Sequence, residues 1–148
     1  MISKVIVASD GSKTAWKAVT YAADIAKQTG AAVTILAVVD ITALVAQAMP
    51  PARATKIRVP AQDYLREAAE GYLQKAAAYF KKRGVRVKLV IRTGHPVEEI
   101  VKEARKSKVD LIVMGSLGRS ALRAAVLGSV TYGVIHKDSK IPVLVVRR

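Results

Sequence analysis

The sequence contains no cysteine. Disulfides and thiolate metal sites are therefore excluded, and a reducing compartment is the natural expectation. Histidine is nearly absent, with two residues, and no His, Asp or Glu cluster stands at metal-ligand spacing, which argues against zinc. No apolar run reaches ~18 residues, so no membrane insertion is expected. The opening stretch Met1-Ile2-Ser3-Lys4-Val5-Ile6-Val7 lacks the basic n-region and cleavage site of a secretory signal and reads as a strand. A cytoplasmic location follows as an expectation. Aromatic residues make up only 5%, a poor supply of stacking platforms for single-stranded nucleic acid. Acidic residues are the remaining shortage: 11 Asp and Glu face 25 Lys and Arg, for a net charge of +14. The basic excess concentrates between Arg53 and Lys108. Such a surface attracts polyanions, whether nucleotides, nucleic acid, acidic proteins or anionic membranes. A merely solvated basic surface would have the same composition.

What is present suits one domain over 1–148, with 51% hydrophobic residues to fill a core. Val5-Ile6-Val7-Ala8 reads as a buried strand, broken by Ser9-Asp10-Gly11-Ser12. Ser12 is placed to cap a helix from about Lys13 to Gln28, whose stripe is Trp16, Val19, Ala23 and Ala26. Gly30 suits its C-terminal cap, and Ala32 to Val39 reads as a second strand. Strand, helix and strand in this order make a parallel βαβ unit. Residues 41–60 carry Pro50, Pro51 and Pro60 and read as an irregular flap or arm. A long helix is expected from Ala61 to Arg83, buried through Tyr64, Leu65, Ala68, Tyr72, Leu73, Ala76 and Phe80. Val85 to Arg92 alternates like an edge strand with one wetter face. His95-Pro96 opens a helix with Val97, Ile100, Val101 and Ala104 inward and Glu98, Glu99 and Glu103 outward. Val109 to Val113 is the fourth strand, a helix from about Ser129 to Lys137 follows, and Ile141 to Val146 is the fifth strand.

The chemistry concentrates after the fourth strand, in Met114-Gly115-Ser116-Leu117-Gly118-Arg119 and Leu127-Gly128-Ser129-Val130-Thr131. Glycines let the backbone approach a ligand closely. A loop of amide groups running into a helix N-terminus suits phosphate, and Ser129 and Thr131 add hydroxyls. A plain tight turn would explain one Gly-x-x-Gly but not the longer spacing. Gly115, Gly118, Gly128 and Ser129 form Gly-x2-Gly-x9-Gly-Ser. In this the chain resembles the nucleotide-binding branch of the universal stress protein family. The resemblance extends to Ser9-Asp10-Gly11-Ser12 and to Pro142-Val143-Leu144-Val145-Val146.

Alternating strands and helices specify an α/β sandwich with helices on both faces. The resemblance supplies an open five-stranded parallel sheet of order 3-2-1-4-5, the adenine nucleotide alpha hydrolase-like arrangement. Its switch point, where ligands bind such sheets, lies between strands 1 and 4. The resemblance also implies ATP, with Mg2+, across the carboxyl ends of the strands. Ala8, Ser9 and Asp10 match the loop that touches ribose and the phosphate-bound metal. The family usually has proline where Ala8 stands. Val38 and Val39 match the strand end that reads adenine, and Met114, Gly115, Gly118, Gly128, Ser129, Val130 and Thr131 match the phosphate loop. Arg119 and Arg123 are placed to pair with phosphates, or to be solvated. Asp10 would bind ribose or Mg2+, or else cap the first helix.

No catalytic residue is expected. There is no Gly-x4-Gly-Lys-Ser/Thr loop. His95 suits a turn, and His136 a helix end. The expectation is a regulatory stress-response protein whose bound ATP sets its conformation and its choice of an unknown protein partner. The alternatives are a slow ATPase or phosphotransferase, and a basic nucleic-acid-binding protein with a vestigial pocket. The apolar last strand is expected to build a homodimer through Val143 to Val146, as the family resemblance also implies.

Overall fold

The computed structural model describes residues 1–40, 51–118, 127–137 and 140–147. Its elements are β1 (Lys4–Ala8), α1 (Lys13–Thr29), β2 (Ala32–Val39), α2 (Pro51–Lys81), β3 (Val87–Thr93), α3 (Pro96–Lys106), β4 (Leu111–Gly115), α4 (Ser129–Lys137) and β5 (Val143–Val146). The strands form one sheet of order β3-β2-β1-β4-β5, every neighbouring pair parallel. The family-derived strand order is the observed one.

The apolar runs are continuous because both faces of the sheet are covered. Val5, Val7, Val33 and Ile35 point to one side, where Ala18, Ala22, Leu73 and Phe80 of α1 and α2 meet them. Ile6, Leu36, Ile112 and Met114 point to the other, against Ile100, Ala104 and Val134 of α3 and α4. The small residues of α1 let it lie close to the strands. Ser12 caps this helix, its Oγ accepting from the Ala15 N–H at 3.1 Å. Gly30 closes it at φ 75°, donating to the Ala26 carbonyl at 2.8 Å.

Several expectations are corrected. α2 starts at Pro51, not Ala61, so the irregular reading of 41–60 fails from residue 51 on; residues 41–50 lie outside the described ones. Proline both breaks and begins helices. Pro51 holds the first helical position, where its missing N–H matters least, and Pro60 is carried inside the helix. On the same helix Tyr64 is 72% exposed and Ala68 is exposed, while Ala69 is buried instead. β3 is the expected edge strand, but Val90 is buried against the α3 side, so that face is not simply wet. Glu103, expected to face water, is 3% exposed. Arg92 of β3 donates to its Oε2 from Nε and Nη2 at 3.3 and 3.1 Å, and the Ser107 hydroxyl donates to Oε1 at 3.3 Å. A carboxylate can be buried here because these partners satisfy it.

Candidate functional site

β1 stops at Ala8, opposite Leu36, while β2 runs on to Val39. On its other side β1 pairs with β4, whose crossover leads the other way along the sheet. The C-terminal ends of β1, β2 and β4 therefore border a crevice at the switch point. Ala8 and Val38 are part-buried there, packed on the same core as Met114, with Val97 and Val130 beside them. This wall of the crevice is apolar.

The loop after β1 organises itself. The Ser9 N–H donates to the Leu36 carbonyl at 2.9 Å, extending the sheet by one bond. Gly11 donates to Ser9 Oγ at 3.2 Å, and Ser12 donates to Asp10 Oδ1 at 2.9 Å. Asp10 thus closes a turn ahead of the Ser12 cap, so the two readings of this residue are not exclusive. Its Oδ2 faces the second loop: a Cβ on Gly118 would lie 2.8 Å from that oxygen.

The loop after β4 is held at its neck. The buried Ser116 donates its N–H to Val146 at 2.8 Å, and its carbonyl accepts from Gly128 at 2.6 Å. The Thr131 hydroxyl, expected to face phosphate, instead donates to the Gly115 carbonyl at 2.8 Å, and Thr131 is only 4% exposed. The glycines also act differently from expectation. Positive φ occurs at Gly11, Gly30, Gly84 and Gly94, not at Gly115, Gly118 or Gly128. Their role is close approach. A Cβ on Gly115 would sit 2.8 Å from Thr14 Cγ2 and 3.0 Å from the Thr14 backbone, so Gly115 lets α1 lie against β4. A Cβ on Gly128 would meet the Gly118 nitrogen and the Ser116 carbonyl oxygen at 3.4 Å. Thr14 and Ser116 were not singled out from the sequence. Nothing in an isolated Ser or Thr near a loop marks it as a packing partner or a hydrogen-bonding neck.

α4 begins at this neck, with Tyr132 donating to the Gly128 carbonyl at 3.0 Å as its first turn closes. Helix geometry leaves the N–H groups of Ser129, Val130 and Thr131 without intrahelical acceptors. The Ser129 side chain is exposed beside them. Across the crevice, alternation along β2 turns the Val38 N–H and C=O toward the β1 side, beyond Ser9. The Val39 carbonyl faces β3, where it accepts from Gly94 at 3.0 Å. Arg119 and Arg123 lie outside the described residues. His95 occupies the N-cap of α3 without a side-chain cap bond, and His136 stacks on Tyr132, centroids 4.0 Å apart, its Nδ1 3.0 Å from the Tyr132 carbonyl. Among the described residues no three His, Asp or Glu side chains gather as a metal site. No helix among them is long and apolar enough to cross a membrane.

An open parallel sheet of this order, with a short acidic loop and a glycine-spaced loop meeting at its switch point, defines a doubly wound class of α/β protein, in which ligands bind at that point. The profile of the universal stress protein family matches residues 1–147, and the chain belongs to that family. Universal stress protein MJ0531 of Methanocaldococcus jannaschii is 34% identical over 148 residues, covering 100% of this chain and 84% of the relative. The solved structure of MJ0577, from the same organism, superposes with a TM-score of 0.86 at 32% identity, covering 100% of this chain and 97% of that one. A universal stress protein solved in complex with cAMP gives a TM-score of 0.67 at 26% identity over 99% of this chain and 97% of its own.

Proposed function

We propose that the chain binds ATP in this crevice and uses it as a conformational ligand in a stress-response role. The observation that carries the reading is the meeting of the two loops, Gly118 against Asp10, at the sheet's switch point. An adenine nucleotide fits the groups there. The apolar wall of Ala8, Val38 and Val130 suits the base, and the Val38 backbone would read its edge. The first-turn amides of α4, with the Ser129 hydroxyl, would hold phosphate oxygens. Gly115 and Gly128 serve by packing, Met114 and Val39 as parts of the crevice's frame, and Thr131 by fixing the neck. The cAMP complex of a relative supports adenine as the base.

Mg2+ fits as a companion to the phosphates. It keeps several waters and needs one or two carboxylates besides phosphate oxygens, and Asp10 would be that carboxylate. The chain's own contribution is to hold and orient. It offers no lysine of the P-loop kind to grip the phosphates during transfer.

Calorimetric titration with Mg-ATP tests this. Asp10→Ala should weaken binding by roughly 1–3 kcal/mol, the scale of a charged hydrogen-bonding group lost with its partner left unmatched. It should also lower the melting temperature slightly, because the Ser12 N–H loses its acceptor. Loss of stability with unchanged affinity would leave Asp10 a turn residue and remove the metal reading. No ATP binding by the unmodified protein would end the proposal. Phosphate release well above once per hour would instead make the protein a slow ATPase.

A further inference from the structure

At the end of the sheet opposite the crevice, the turns that lead from helix into strand all emerge together. In three successive βαβ units these are the turns after α1, α2 and α3. The first two are closed by glycine in the left-handed region, Gly30 at φ 75° and Gly84 at φ 69°. The third uses Lys108 at φ 53°, the one non-glycine residue with positive φ among those described. Glycine takes that conformation without steric cost, and lysine does not. Backbone geometry alone therefore does not account for a lysine at this turn.

Its neighbours point the same way. Lys82 and Arg86 flank the Gly84 turn, Lys27 precedes Gly30, Lys4 begins β1, and Lys106 precedes Lys108; all are exposed. The register binds these groups into one row. Arg86 accepts from Val33 at the start of β2, and Lys4 accepts from Asp110 at the start of β4. Cations in the last turn of a helix complement its dipole, which accounts for Lys27 and Lys106. It does not account for Lys4 or Arg86, which start strands or precede them. The opposing carboxylates are few. Asp24 lies on α1, and Asp110, which accepts from the amides of Ser3 and Lys4 at 2.8 and 2.9 Å, keeps one negative charge beside Lys4 in the row. Four strands at ~4.8 Å spacing separate the outer turns of the row by about 14 Å. That reach spans a major groove about 12 Å wide.

We infer that this basal row, from Arg86 through Lys4 to Lys108, is a docking surface for the phosphate backbone of duplex nucleic acid, separate from the nucleotide crevice. Scarce aromatic residues favour a duplex over a single strand, since stacking would contribute little. Recognition would be of backbone charge and not of sequence.

Fluorescence anisotropy with a 20-bp duplex DNA, at 50 to 200 mM salt, tests it. Four phosphate contacts give a slope of log K on log salt of about −3.6, a loss of roughly 150-fold across that range. Replacing Lys82, Arg86, Lys106 and Lys108 with alanine should abolish most of the slope. Replacing Lys17, Lys75, Lys102 and Lys137, which lie elsewhere, should change affinity far less. Lys108→Gly is conformationally favoured at its turn, so it should keep the fold, gain thermal stability and still lower the slope by about 1. No duplex binding at 50 mM salt would overturn the inference. So would equal losses in the two fourfold variants, which would mean diffuse charge, or binding to anionic vesicles without binding to DNA. The weakening of ATP binding in Asp10→Ala should leave the duplex titration unchanged, so the two sites fail or stand separately.

Discussion

A glycine can be required for its missing side chain rather than for its torsion angle, and the loop after β4 separates the two uses. A Cβ on Gly115 would meet the Thr14 backbone, which cannot move without α1. Gly115→Ala is therefore expected to destabilise the fold by about 1–3 kcal/mol, the usual cost of overpacking. Among the described residues, a Cβ on Gly118 would meet only the end of the Asp10 side chain. Gly118→Ala should leave the melting temperature within a few degrees and weaken ATP at least about tenfold, by turning the carboxylate aside. Calorimetry and thermal denaturation on both variants distinguish the roles; a Gly118→Ala protein with full affinity would show that Asp10 does not face the ligand. At the other end of the sheet, the amides of Ser3 and Lys4 hold the Asp110 carboxyl below its ordinary value of 3.8. A depressed carboxylate stabilises the fold above its unfolded pKa, and that contribution is lost as pH falls through the folded one. Asp110→Asn should thus be less stable than the parent at neutral pH. The gap should narrow as the pH drops below 3.8, as followed by urea titrations at several pH values.

Among the elements, β2 and α1 were legible because local signals agreed. An apolar run, a serine cap and a closing glycine all placed the same boundaries. The beginning of α2 was not legible, since proline is compatible with both a break and a first turn. Nor was the inward face of Glu103. Its partner Arg92 sits eleven residues away on an edge strand, and spacing along α3 alone put a glutamate in water. The crevice was legible as two loops, but not the part each residue plays in it: the Thr131 hydroxyl is spent on the Gly115 carbonyl, and Gly115 and Gly128 are packed against backbone. The Arg92–Glu103 pair should respond unequally to truncation. Glu103→Ala frees an Arg92 side chain that is 39% exposed and can turn to water, for a cost of ~1–2 kcal/mol. Arg92→Ala strands a carboxylate that is 4% exposed, with Ser107 as its remaining donor, and should cost more, ~3 kcal/mol. Urea denaturation of the two variants measures the difference, and equal costs would mean that Glu103 relaxes to solvent.

For the whole molecule the open question is what covers β5. Among the described residues it lies at the edge of the sheet, paired with β4 on one side only. Pro142 and Val146 turn their carbonyls to β4, where Ile112 and Ser116 donate to them at 2.9 and 2.8 Å. By alternation Val143 and Val145 turn their N–H and C=O groups outward. Val143, Leu144 and Val145 are part-buried, so their side chains also keep apolar surface at the rim. A strand of this kind pairs with other chains unless it is covered. The simplest cover is the same strand of a second copy, antiparallel about a two-fold axis, in which each copy's outward groups meet the other's. The net charge of +14 opposes association, yet at ~0.15 M salt its reach falls to about 8 Å. We propose a homodimer through Val143 to Val146. Light scattering at micromolar concentration should give about twice the chain mass of 15.9 kDa. Val143→Lys with Val145→Lys should give monomers, or insoluble protein where the exposed edge finds other partners. Lower salt should weaken the dimer and higher salt strengthen it, because only the repulsion is screened. A clean monomer at every salt concentration would sink the dimer, and would require another part of this chain to protect the edge.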